Sequence, residues 1–157
     1  MSVVRKHSDP NPSFAAPTVA SALDVLVAAS GIVARDRVVV VGHKTLDHLL
    51  ALVRIGCWNA AAIRPEAAAH LIEAADVVWV TDVAGNDELE TIIHGVAAPR
   101  IVAFELPGDG AKGDLRRLLG KLRAKGLVET SIYHAADGSV IVTTRPTWLR
   151  CVIESGR

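Results

Sequence analysis

Aromatic residues are scarce, 4% of the chain, which disfavours a stacking platform for single-stranded nucleic acid. Cysteine is scarcer: Cys57 and Cys151 lie far apart, with no CxxC pair. No disulfide framework is expected, and the two read as buried thiols in a reducing cytoplasm. Net charge is absent as well, 17 Lys and Arg balancing 17 Asp and Glu, which argues against a globally basic nucleic-acid binder or a polybasic membrane binder. The longest apolar stretch, Val19 to Ala34, is interrupted by Asp24 and Gly31 and falls short of the ~20 residues of a membrane span. The segment Met1 to His7 lacks the apolar run of a secretory signal. A soluble, cytoplasmic protein is the expectation.

What is present is apolar: 50% hydrophobic against 22% charged residues in a chain of 157. That excludes long disorder and suits one domain with one core. Residues 1–17, with Pro10, Pro12 and Pro17 among Ser, Asn and Asp, read as a loose arm, and 18–157 as a single α/β domain. Thr18 is placed to cap a helix running to about Ala34. Val38–Val41 is a β-branched run without polar alternation, as expected of a strand buried on both faces. Gly42 ends it. Thr45 is then expected to cap a helix with the stripe Leu46, Leu49, Leu50 and Val53, ending at Gly56.

Asn59–Ile63 reads as a short strand and Pro65 as the start of a helix to about Ala74. Val77–Val80 is a second buried strand. Asn86 is expected to cap a helix with the stripe Leu89, Ile92, Ile93 and Val96, and Arg100–Glu105 is a fourth strand. This alternation predicts a three-layer α/β fold with a mostly parallel sheet. The last third changes character. Leu115, Leu118, Leu119 and Leu122 mark a helix stopping at Gly126, and Leu127–Tyr133 and Ser139–Thr144 flank Asp137-Gly138, a strong turn signal. The sheet is therefore expected to end in an antiparallel β-hairpin.

Ligands of an open α/β sheet bind beyond the carboxyl ends of its strands, where strand order reverses. Polar side chains follow the strands at Gly42-His43-Lys44-Thr45, Arg64-Pro65-Glu66, Thr81-Asp82 and Glu105. The first stretch opens a helix, where free N–H groups favour an anion. Neither glycine-rich phosphate motif is met, however: His43 separates Gly42 from Lys44, and Lys44 stands where GxGxxG has its second glycine. An anion site and a plain turn with a solvated Lys44 both fit. Asp82 reads either as a contact to a ligand amine or hydroxyl or as a loop cap, and Glu105 likewise.

His7, His43, His48, His70, His94 and His134 show no HxH or HExxH spacing and no accompanying cysteine, so no metal site is expected. GxSxG is absent too, and no catalytic residue is assigned. Lys112, Arg116, Arg117, Lys121, Arg123 and Lys125 make the last helix basic. That is a solvated face or, with the hairpin, a recognition helix and wing. The lack of two leading helices and the neutral charge argue against DNA binding.

Taken in order, the elements resemble a shortened class I S-adenosylmethionine-dependent methyltransferase. Arg35–Gly42 is similar to that family's first strand and closing glycine, and Ala75–Asp82 to its central strand with an acidic end. Arg100–Glu105, the leucine helix and the hairpin around Asp137-Gly138 resemble its closing segment. The likeness runs over roughly 19–145. It implies a Rossmann-like fold and a cofactor site at Gly42, His43, Lys44 and Asp82 for S-adenosylmethionine or a related nucleoside. The family's GxGxG loop keeps only Gly42, with Lys44 and Leu46 at the other glycine positions. Glu66 is the acid nearest the ribose position, and one strand–helix pair is missing before Val77. Two functions stay open: a divergent methyltransferase-like protein with a degenerate loop, whose activity as an enzyme would be methyl transfer, or a non-catalytic scaffold for a partner or a homodimer. A winged-helix DNA-binding regulator is a remote third.

Overall fold

The computed structural model describes residues 20–68, 72, 74–107 and 112–146. The expected arm, Thr18 and Cys151 lie outside the described residues. Six strands form one sheet in the order β2-β1-β3-β4-β6-β5. They are β1 (Val38–Val41), β2 (Ala60–Ile63), β3 (Val77–Val80), β4 (Ile101–Pro107), β5 (Glu129–His134) and β6 (Gly138–Thr144). The first four run parallel. The sheet then ends antiparallel, β6 lying between β4 and β5. The three-layer, mostly parallel, Rossmann-like α/β fold expected from the sequence is thus observed.

The valine runs explain the centre of the sheet. Every residue of β1 and β3 is buried, and alternate residues serve opposite faces. Val39, Val41, Val78, Val80 and Phe104 pack with Ile92 and Ile93 of α3 (Asn86–Gly95) and Leu118 and Leu122 of α4 (Lys112–Ala124). Val38, Val40, Val77 and Trp79 pack on the other face with Leu26 of α1 (Ala22–Ala29) and Leu52 of α2 (Leu46–Arg54). No helix among the described residues is long and apolar enough to cross a membrane.

Several local expectations are corrected. α1 begins at a capping box: Ser21 Oγ accepts from Asp24 N–H, and the Asp24 carboxylate accepts from Ser21 N–H. It ends at Ala29, well before Ala34. On α2 the expected stripe divides: Leu49 is half-buried against the core, but Leu46, Leu50 and Val53 are exposed, and the fully buried positions are His48 and Leu52. Thr45 holds the cap position of α2 without a side-chain cap bond. Gly85, not Asn86, precedes α3 at its cap. Pro65–Ala67 is a single 3-10 turn, and most of the helix expected beyond it lies outside the described residues. The hairpin is no wing, because β6 pairs with β4 along its whole length.

The carboxyl ends of β1 and β3 run so close that a Cβ on Gly42 would overlap the carbonyl oxygen of Thr81. Gly42 N–H also donates to the Ile63 carbonyl (3.1 Å), so the backbone has little room to retreat. Gly120, inside α4, has open space around it. Gly42→Ala is therefore expected to lower the free energy of unfolding by about 3 kcal/mol, and Gly120→Ala to raise it by about 0.5–1 kcal/mol. Urea denaturation midpoints of the two variants check both signs.

Candidate functional site

β2 lies on one side of β1 and β3 on the other, so strand order reverses between β1 and β3. The connections leaving their carboxyl ends splay to opposite sides there, which leaves the edge accessible. Four elements deliver polar groups to it. Gly42–Thr45 follow β1, Arg64–Glu66 follow β2, Thr81–Asp82 follow β3, and Glu105 lies within β4.

Two layers of polar contacts result. In the outer layer, His43 N–H donates to the carbonyl of Asp82 (3.4 Å), joining the loops after β1 and β3. Asp82 is held at φ 44°, alone among the described non-glycine residues in having a positive φ, a backbone state that costs an L residue about 1–2 kcal/mol. Its side chain is exposed. The ring of His43 reaches Glu88 in the first turn of α3, Nε2 lying 3.0 and 3.2 Å from the two carboxylate oxygens. Glu88 also accepts from Ala84 N–H at 2.8 Å. That N–H foremost, then the hydrogen bond from His43, holds the Glu88 carboxyl below its ordinary pKa. Glu66 arrives from the turn after β2, bringing its carboxylate within 4.8 Å of the donor atoms of His43 and Glu88.

The inner layer is nearly dry. His48, 6% exposed, stands in the first turn of α2 with its ring edge-on to Trp79 (6.3 Å, 74°). Its Nε2–H donates to Glu105 at 2.6 Å, and the buried Thr81 hydroxyl donates to the same oxygen at 3.1 Å. When the imidazole is neutral, this contact selects the tautomer with the proton on Nε2 and leaves Nδ1 as an acceptor. Nδ1 is buried and has no partner among the described residues.

The residues singled out in the sequence separate accordingly. Gly42, His43 and Asp82 come together at the strand-order reversal. Lys44 is exposed and makes no ion pair among the described residues. Gly42 is buried, and the approach of Thr81 accounts for it. Glu66 and Glu105 were read from the sequence as polar residues near strand ends, whereas Glu88 and the pairing of His48 with Glu105 were not. His43 and Glu88 are 45 residues apart and His48 and Glu105 57 apart, so only the strand order reveals either pairing.

No protein-family model matches the chain, and no curated protein matches it. Solved structures do. The methyltransferase domain of bacterial CtHen1 superposes with a TM-score of 0.56 at 12% identity, covering 78% of this chain and 96% of that one. An S-adenosylmethionine-dependent O-methyltransferase from Thermotoga maritima gives 0.55 at 8% identity, covering 78% and 64%. A release-factor-specific protein-(glutamine-N5) methyltransferase from Alicyclobacillus acidocaldarius gives 0.50 at 17%, covering 80% and 90%. At such identities the likeness concerns the fold. The chain has a divergent, class I methyltransferase-like Rossmann fold.

Two outcomes follow from this geometry. Glu105→Ala strands the His48 Nε2–H and the Thr81 hydroxyl in a buried setting and is expected to lower stability by about 1–3 kcal/mol, measurable by chemical denaturation. The Glu88 carboxyl is expected to titrate below its ordinary value in a carbon-13 NMR titration. It should stay low in His43→Ala, since the Ala84 N–H is the larger cause. Because the pKa is depressed in the fold, the associated stability is present above the unfolded-state value and disappears as pH falls through the folded one.

Proposed function

We propose that the chain is a divergent methyltransferase-like protein that binds S-adenosylmethionine or a related nucleoside at the carboxyl ends of β1 and β3. One observation carries this reading. In a sheet whose central strands are wholly apolar, the polar groups that follow three neighbouring strands converge where strand order reverses, in a methyltransferase-like fold. His43 and the Gly42 backbone line the edge of the ligand. Lys44 stands at its mouth, and Asp82 is the polar contact nearest a methyl acceptor. Glu66, after β2, is placed for sugar hydroxyls. Methyl transfer needs chiefly alignment of a nucleophile with the methyl carbon, so no further catalytic motif is required. A reducing cytoplasm is the compartment we infer, consistent with the free, buried thiol of Cys57, whose pKa burial raises.

One observation favours a second reading, a non-catalytic scaffold or homodimer. Leu46, Leu50 and Val53 on α2, with Ile55 and Trp58 beyond it, are exposed near β2, the edge strand of the sheet among the described residues, the kind of apolar surface that partners cover.

Isothermal titration with S-adenosylmethionine and S-adenosylhomocysteine separates the two. Micromolar binding, weakened about ten-fold or more in Asp82→Ala and His43→Ala, is the expected result. A substitution at Gly42 is unsuitable as a control, since it disturbs the β1–β3 approach. No heat at millimolar ligand contradicts the nucleoside reading and leaves the scaffold, whose dimer sedimentation velocity would detect.

A further inference from the structure

We propose that His43, Glu66 and Glu88 form a binding site for a divalent transition-metal ion of the Mn2+, Fe2+ or Zn2+ class. Each residue offers one donor atom, and the three atoms lie within 4.8 Å of one another. Bonds of roughly 2.0–2.2 Å to such an ion require the donor atoms to draw closer together, and rotation about side-chain bonds moves them in that direction. The donors come from three separate elements: the connection after β1, the single turn after β2 and the first turn of α3. An ion there would tie together the three chain segments that surround the reversal of strand order.

The donor set selects the class of ion. One imidazole nitrogen and two carboxylates, without thiolate, suit borderline and moderately hard cations. Mg2+ and Ca2+ prefer oxygen alone. Charge points the same way. Among the described residues, His43 is the only basic group within ion-pair distance of Glu88, and no basic group is within that distance of Glu66. Lys44 and Arg64, in the same connections, are exposed and pair with neither. An imidazole coordinates a metal through a deprotonated nitrogen, so the bound donor set presents two carboxylates whose charge a dication balances.

The supports of the ligands are already in place. Ala84 N–H fixes one oxygen of Glu88, a contact of the kind that orients a metal ligand from outside the first coordination sphere, and the main-chain N–H of His43 ties its loop to the Asp82 carbonyl. His43 and Glu66 are exposed and Glu88 half-buried, so an ion enters without unfolding anything. Three protein donors also leave coordination positions open for water or a ligand atom, as in catalytic rather than structural metal sites. The inference does not rest on nucleoside binding.

The test uses the full chain, stripped with a chelator, with no nucleoside added. Mn2+ is titrated and its free concentration followed by electron paramagnetic resonance, and Zn2+ is titrated by calorimetry. One ion per chain is expected. Glu66→Gln and His43→Ala are each expected to weaken it by about ten-fold or more, and His94→Ala, at the far end of α3, to leave it unchanged. Glu66 makes no hydrogen bond among the described residues, so Glu66→Gln tests binding without disturbing the fold. Circular dichroism of each variant verifies folding. No binding by the wild type at millimolar Mn2+ and Zn2+, or affinity unchanged in Glu66→Gln, overturns the proposal. Either failure leaves nucleoside binding untouched, since the nucleoside titration repeated with chelator present reads it without any ion.

Discussion

The close approach of β1 and β3 at their carboxyl ends governs the rest of the molecule. Both strands are sealed between helical layers, so their backbones are held at sheet spacing with no solvent to relax into. Where they end, Thr81 presses its carbonyl against Gly42, and only a residue without a Cβ fits. This contact fixes where the chain leaves the sheet, and the two departing connections then meet again through His43 and the strained Asp82. The site is therefore a consequence of the core. Its outer groups are exposed, but the backbone that carries them is not free to move.

A second constraint lies beneath. α2 enters the sheet through a histidine, an unusual core residue, and Glu105 makes this tolerable by accepting its Nε2–H along with the hydroxyl of Thr81. Burial of unpaired polar groups here would be costly, so the three residues form one unit. They couple the rotation of α2 to strands β3 and β4, across the width of the parallel half of the sheet. That coupling explains why α2 presents His48 and Leu52 inward and leaves Leu46, Leu50 and Val53 out. Among the described residues the sheet ends at β2, and no further element covers that side.

Much of this fold is legible in the sequence, for a physical reason. Four valines without polar alternation fit only a strand covered on both faces, and Asp137-Gly138 between two β-branched runs fits only a tight hairpin. α2 was misread because its leucines form a regular stripe; what decides the buried face is the partner Glu105, which local periodicity cannot register. Thr45 and Asn86 are good capping residues by type, yet neither caps: Thr45 keeps helical dihedrals with no side-chain bond, and Gly85 stands before α3. Site residues were legible where they stand at or shortly past a strand's end, as His43, Glu66, Asp82 and Glu105 do. Glu88 lay hidden as an ordinary first-turn acid, and its pairing with His43 depends on a strand order that no local spacing encodes.

The central claim is that the edge where strand order reverses is the ligand-binding face of this methyltransferase-like fold. Amide chemical-shift mapping with S-adenosylhomocysteine on nitrogen-15-labelled protein tests it most directly. The account predicts shifts concentrated at residues 42–45, 64–66 and 81–85, with smaller ones at His48 and Glu105. Shifts confined to the groove between α3 and α4, or none at saturating ligand, would contradict it.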